Sequence, residues 1–180
     1  MLQSLKIFTK FTLIIILKYK EIIMAYWVWD PSFSVGIEII DNQHKRIIEY
    51  INELGVASQY GDQQKVYNVL LGLIDYTISH FSFEESLQEQ AGYPMLEPHK
   101  KVHQAFIRRI EFFKERYEGG EDVTKQLASE LQIWLINHIQ HDDSDYTDDV
   151  KAMLDKKKHG ASEQEEQKGW LSGMVSKFFK

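Results

Sequence analysis

His80-Phe81-Ser82-Phe83-Glu84 and His99-Lys100-Lys101-Val102-His103 are two pairs of metal-capable side chains, each spaced four residues apart. On an α-helix that spacing stacks both members on one face, a turn apart. The apolar register Val66, Val69, Leu70, Leu73, Ile74 and Thr77 runs straight on into His80, Phe81 and Glu84. Histidine and glutamate therefore occupy positions where leucine or isoleucine would normally fill a core. The same holds for His99 and His103, which continue into Phe106, Ile107, Ile110 and Phe113. Two such helices, antiparallel and face to face, would enclose three imidazoles and a carboxylate.

Working outward, two more segments show the same behaviour. Asp41 reads as an N-cap, followed at helical spacing by His44, Ile47, Ile48, Ile51 and Leu54. From about Asp122, the residues Val123, Leu127, Leu131, Trp134, Leu135 and His138 share an inner face. Tyr60-Gly61-Asp62, Gly92 with Pro94, and Gly119-Gly120 punctuate the chain between these segments. The pattern predicts an all-α protein, an up-down-up-down antiparallel four-helix bundle with helices of roughly 20 residues and short loops. Residues 25–40, with Pro31 and Gly36, predict an extended N-terminal arm over the bundle.

Composition narrows the chemistry. The chain has 180 residues, no cysteine and seven histidines, so any metal is held by nitrogen and oxygen. Thiolate zinc sites, iron–sulfur clusters and disulfides are excluded. Between Ile22 and Asp155 there are 23 acidic and 11 basic side chains, a balance that argues against nucleic acid as a partner. His44, His80, His99, His103 and His138 converge from four facing stripes together with Glu84. Burying them without partners would cost several kcal/mol each in lost hydration, which a metal ion removes. His141 and His159 fall outside the stripes and are expected to be exposed.

The ends read differently from the body. The apolar run Phe11–Leu17 is flanked by lysines and falls short of the roughly 20 residues that span a membrane. Residues 1–23 are expected to be an over-called start before Met24, or a weak signal-like extension. The expected organisation is then a bundle over 24–155, a polar flexible linker over 156–168 and an amphipathic tail over 169–180. In that tail Trp170, Leu171, Met174, Val175, Phe178 and Phe179 repeat at helical spacing. The tail suits either packing on the bundle or docking to a membrane surface or membrane-protein partner. A cytoplasmic monomer, membrane-associated if the tail docks, is the expectation.

Taken together, Gly36-Ile37-Glu38-Ile39-Ile40-Asp41-Asn42-Gln43-His44, His80-Phe81-Ser82-Phe83-Glu84-Glu85, His99-Lys100-Lys101-Val102-His103 and Trp134-Leu135-Ile136-Asn137-His138 with Asp143 resemble the hemerythrin family, specifically its single-domain bacterial members. The resemblance covers about residues 26–154. It implies a non-haem di-iron centre with an oxo or hydroxo bridge. One iron would take His99, His103 and His138, and the other His44 and His80, with Glu84 and Asp143 bridging both. Asp143 follows His138 by five residues and would not share its face on an ideal helix, whereas Asp142 would. Choosing Asp143 on the family pattern implies a local break where the helix ends.

Counting ligands under that resemblance leaves one open position, on the iron with two histidines. The family also places Ile47, Trp134, Leu135 and Ile139 beside that position as an apolar O₂ pocket. Five imidazoles against two carboxylates is the reverse of the carboxylate-rich set used by di-iron oxygenases in bundles. The implied function is reversible O₂ binding, for carriage, storage or delivery to an O₂-consuming enzyme, and not catalysis. An O₂ or redox sensor is the alternative, and a di-iron oxidase or peroxidase-type enzyme a more distant one.

Overall fold

A computed structural model of the chain describes residues 26–160 and 164–179. The readings of residues 1–23 and of the side chain of His159 lie outside the described part. Six α-helices follow a single 3₁₀ turn at Pro31–Phe33: α1 Glu38–Gln59, α2 Gln63–Ala91, α3 Leu96–Glu118, α4 Thr124–Asn137, α5 Ser144–Gly160 and α6 Gln164–Phe178. One turn of π-helix, His138–Asp143, joins α4 to α5, so the fourth rod of the bundle runs unbroken from Thr124 to Gly160. The architecture is the expected antiparallel four-helix bundle.

Local chemistry sets the ends of these helices. Asp62 caps α2, its Oδ1 accepting from the Lys65 amide at 2.9 Å. Gly92, at φ 72°, closes α2 in the left-handed conformation that a side chain would resist, and the Tyr93 amide returns to the Gln88 carbonyl at 3.0 Å. At α1 the expected cap is displaced. The helix opens at Glu38 behind Ile37, and Asp41 lies inside the first turn. Its carboxylate reaches back instead, accepting from the Val35 amide at 2.9 Å and the Ser34 hydroxyl at 2.6 Å. Asp41 therefore fastens the arm, and Asn52 fastens it again by exchanging two hydrogen bonds with the Trp27 backbone at 2.7 and 2.8 Å.

The interior has two ends. One is an apolar plug of Leu54, Val66, Leu70, Leu73, Phe113, Leu127 and Leu131, all buried. The other begins about two turns further along α2, at His80, and holds the histidines. Polar residues 156–168, expected as a linker, are helical on both sides of residues 161–163, with α5 extending to Gly160 and α6 starting at Gln164. Helix α6 then lies along α2. Met174 is 9% exposed, and Phe178 and Phe179 both meet Phe83 edge-on or tilted at 6.1 Å. Phe179 also contacts Tyr76 at 5.2 Å. Most of the tail's apolar stripe is thus turned toward the bundle. Among the described residues no helix is long and apolar enough to cross a membrane.

Candidate metal centre

The ligand candidates arrive from all four rods of the bundle. His44 comes from α1, His80 and Glu84 from α2, His99 and His103 from α3, and His138 with Asp143 from the π turn. All seven are buried, with His99 the most exposed at 4%. The two carboxylates stand between two groups of imidazoles. Glu84 Oε2 lies 3.9 Å from His80 Nε2 on one side, and 3.8 and 3.4 Å from His99 and His103 Nε2 on the other. Asp143 Oδ2 lies 3.2 Å from His44 Nε2, while its Oδ1 lies 3.0 Å from His138 Nε2 and 3.8 Å from His99 Nε2.

The π turn explains why Asp143 can do this. Hydrogen bonds that skip one extra residue widen the turn. Residues five apart, His138 and Asp143, then come to one side, and His138, Ile139 and Asp143 are all buried. The expected break at the helix end does not occur; the helix absorbs one extra residue and continues. Asp142, the alternative at i+4, is half-buried, and its Oδ2 lies 3.0 Å from His138 Nδ1, on the outer side of the ring. His141 is exposed.

Outer partners orient three of the five imidazoles. His80 Nδ1 pairs with Gln43 Oε1 at 2.8 Å, and His103 Nδ1 with Glu85 Oε1 at 2.8 Å. With Asp142 on His138, each contact sets Nδ1 against an acceptor and turns Nε2 inward, the orientation a ligating ring needs. Phe81 stacks flat on His103 at 3.7 Å, and Trp134 stacks on His138 at 4.3 Å, with Phe106 over the other face of Trp134 at 3.5 Å. Ile47, Leu135 and Ile139 are buried and Trp134 is half-buried. The ring contacts of Trp134 are with Phe81, Phe106 and His138.

Tyr146, fully buried on α5, donates its hydroxyl to Glu84 Oε1. Neither Tyr146 nor the roles of Phe81, Gln43, Glu85 and Asp142 are legible in the sequence alone. Their only signal was position beside or one turn from a ligand.

Charge at the centre follows from this packing. Burial lowers the His80 pKa to about 3 despite the nearby Glu84. Burial also opposes charge on His138, yet Asp143 and Asp142 raise its pKa to about 10. Burial and Glu84 push Asp143 upward, but His138 and His44 outweigh them and bring it down to about 2. Glu84, likewise opposed by burial, is held well below the ordinary range by His80, His103 and His99. Both carboxylates therefore remain ionised, ready to accept a cation.

A test of fit comes from the buried polar atoms with no hydrogen-bond partner. They include the Nε2 atoms of His44, His80 and His99, Oε2 of Glu84, and both carboxylate oxygens of Asp143. Native interiors leave few such atoms, and each costs about 1–3 kcal/mol or more if charged. Here they converge: Glu84, His99, His103, His138 and Asp143 offer ligand atoms all within 4.8 Å of one another, and so do His44, His80 and Glu84. Nitrogen and oxygen donors without thiolate suit iron, zinc, copper or manganese. The residues fit a metal.

Residues 35–149 match the family model described as the hemerythrin HHE cation binding domain. The chain belongs to the hemerythrin family. Among curated relatives, a bacteriohemerythrin of Pseudomonas aeruginosa strain LESB58 is 45% identical over 156 residues, covering 87% of this chain and 99% of that protein. The bacteriohemerythrin of Clostridium acetobutylicum is 32% identical over 128 residues, 68% of this chain and 99% of that one. The myohemerythrin of Sipunculus nudus is 32% identical over 121 residues, 67% and 90% respectively. A wild-type hemerythrin crystal structure superposes with a TM-score of 0.66 at 26% identity, covering 70% of this chain and 98% of that one. The residues matched by the family model, 35–149, contain all seven inward-facing donors.

Proposed function

We propose that this hemerythrin-family chain binds dioxygen reversibly at a non-haem di-iron centre, as a carrier or store and not as an enzyme. His99, His103 and His138 would hold one iron and His44 with His80 the other, Glu84 and Asp143 bridging, with an oxo or hydroxo group completing the bridge. The observation that carries the reading is the donor set: five imidazoles and two carboxylates, sealed in a core with two histidines on one side and three on the other. When bound, the iron pair supplies the two electrons that O₂ borrows on binding and returns on release. The few negative ligands give weak support to higher oxidation states, which favours return over bond cleavage.

The chain's own residues do the rest. Ile47, Leu135 and Ile139 are buried beside His44 and His138 in the chain and exclude water from the interior, which slows irreversible oxidation. Gln43, Glu85 and Asp142 keep three rings in the ligating orientation. Tyr146 occupies one lone pair of Glu84 and fixes its rotamer.

Iron analysis with optical spectroscopy tests this. Two irons per chain are expected, with an oxo-bridged charge-transfer spectrum that changes with O₂ or azide. O₂ should leave when its pressure is lowered. Rapid oxidation of the ferrous form with no recovery of O₂ would overturn the carrier reading.

A further inference from the structure

The two halves of the centre are not equivalent, and their difference has a direction. We propose that the three-histidine pocket fills first, giving a stable one-metal form, and that Glu85 and Asp142 set this order as positioning residues. The inference rests on the two-metal reading above and adds to it which ion is held firmly.

Three observations agree. The pocket around His99, His103 and His138 gathers five ligand residues within 4.8 Å, whereas the group at His44 and His80 gathers three. The outer nitrogens differ in the same sense. His103 and His138 face carboxylates, Glu85 at 2.8 Å and Asp142 at 3.0 Å. His80 faces the neutral amide of Gln43, and His44 Nδ1 has no partner among the described residues. A carboxylate behind an imidazole strengthens it as a donor and adds negative charge near the cation; such partners typically contribute about 10–100-fold in metal affinity. An unpartnered Nδ1 leaves the proton free to sit on either nitrogen, so part of the His44 population presents no lone pair inward.

Ring packing is the third observation. His103 lies flat against Phe81, with 4° between the rings, and His138 is stacked on Trp134 with 21° between them. His44 and His80 meet edge-on, at 4.9 Å and 80°, and His80 tilts against Phe81 at 5.5 Å; neither of these contacts is stacked. The three-histidine pocket is therefore the better preorganised of the two. The Glu85 side chain is 24% exposed and that of Asp142 39%. Water screens both, which places each effect near the lower end, about tenfold.

The order has a consequence. The open position assigned to O₂ belongs to the iron held by His44 and His80, the one that enters last and leaves first. Activity would then be lost through departure of a single ion while the fold keeps the other.

Anaerobic calorimetric titration of the full metal-free chain with ferrous iron tests the proposal. Two steps are expected, one iron each. Glu85→Gln and Asp142→Asn should each weaken the first step by about tenfold and leave the second unmoved. Gln43→Leu should weaken only the second. In a separate assay, His80→Ala should retain one iron per chain and His103→Ala should retain less. Uptake of two irons in a single unresolved step, or Glu85→Gln acting on the second step alone, would overturn the ordering while leaving the di-iron reading intact. Uptake of fewer than two irons at saturation would overturn the di-iron reading itself.

Discussion

Helix α2 contributes to two interiors built on one periodicity and opposite energetics. Over Val66, Leu70 and Leu73 it buries hydrocarbon, and each side chain stabilises the fold by about 1.5–3 kcal/mol on leaving water. Over His80 and Glu84 the same face buries imidazole and carboxylate, with inward-facing atoms left without partners. The apolar end gains its stability from burial and needs no ligand to satisfy it. The histidine end costs free energy until a cation arrives, so in this bundle the binding site is the part that depends on its ligand. A closed apolar plug at one end allows a costly polar cavity at the other.

Metal removal separates the two ends most strongly. Stripping the ions with a chelator should lower stability by about 4 kcal/mol or more, the value for a ligand present at a thousand times its Kd. The loss should be local. Amide exchange should accelerate around His80–Glu84, His99–His103 and His138–Tyr146, and remain slow around Leu70–Leu73 and Leu127–Leu131. Uniform acceleration over both ends would show that the plug does not stand alone.

The plug can be weakened in turn. Leu73 is 0% exposed, and Leu73→Ala should cost about 2–5 kcal/mol through lost burial and the cavity left behind. Leu73 lies seven residues before His80, far enough along the helix for the two effects to add, so the cost measured by denaturant unfolding should be similar with and without iron. Iron content should remain at the wild-type level. A cost that appeared only in the metal-free form would join the two ends and remove the contrast.

The bundle and six of the candidate ligands, His44, His80, Glu84, His99, His103 and His138, were readable because a polar residue in an apolar helical register is conspicuous, and four helices repeated the signal; Asp143 came only from the family resemblance. The features that the pattern concealed are those that depend on geometry across helices or on a change of period. Nothing in His138-Ile139-Gln140-His141-Asp142-Asp143 marks a π turn; there is no glycine or proline in it. Ending the helix at Asp143 also hid Tyr146 and Val150, which lie three and seven residues on and keep the inner face of α5. Gln43 neighbours His44 in the chain but bonds His80, and Glu85 neighbours Glu84 but bonds His103. Only the packing of α1, α2 and α3 reveals those pairings. Asp41 looked like a cap by its place before an apolar register, but it lies within the helix and its carboxylate serves the arm.

Tyr146 allows a finer test of the contrast between the ends, since it is an aromatic core residue whose hydroxyl belongs to the polar end. It is fully buried and donates to Glu84. Burial together with the neighbouring carboxylates of Glu84 and Asp143 holds its pKa well above the ordinary tyrosine value, so it remains a donor at any working pH. Tyr146→Phe keeps the ring and its packing on Tyr93 and His99 and removes only the hydroxyl. A hydrogen bond to a charged group is worth about 1.5–3 kcal/mol, and its loss leaves Glu84 Oε1 unpartnered. In the metal-free chain, where Glu84 Oε2 already lacks a partner, the full cost should appear in denaturant unfolding. With iron bound, the cation partly offsets the same loss, and the cost should shrink. Equal destabilisation in both forms would mean that the hydroxyl serves the packing of α5 and not the charge of the centre.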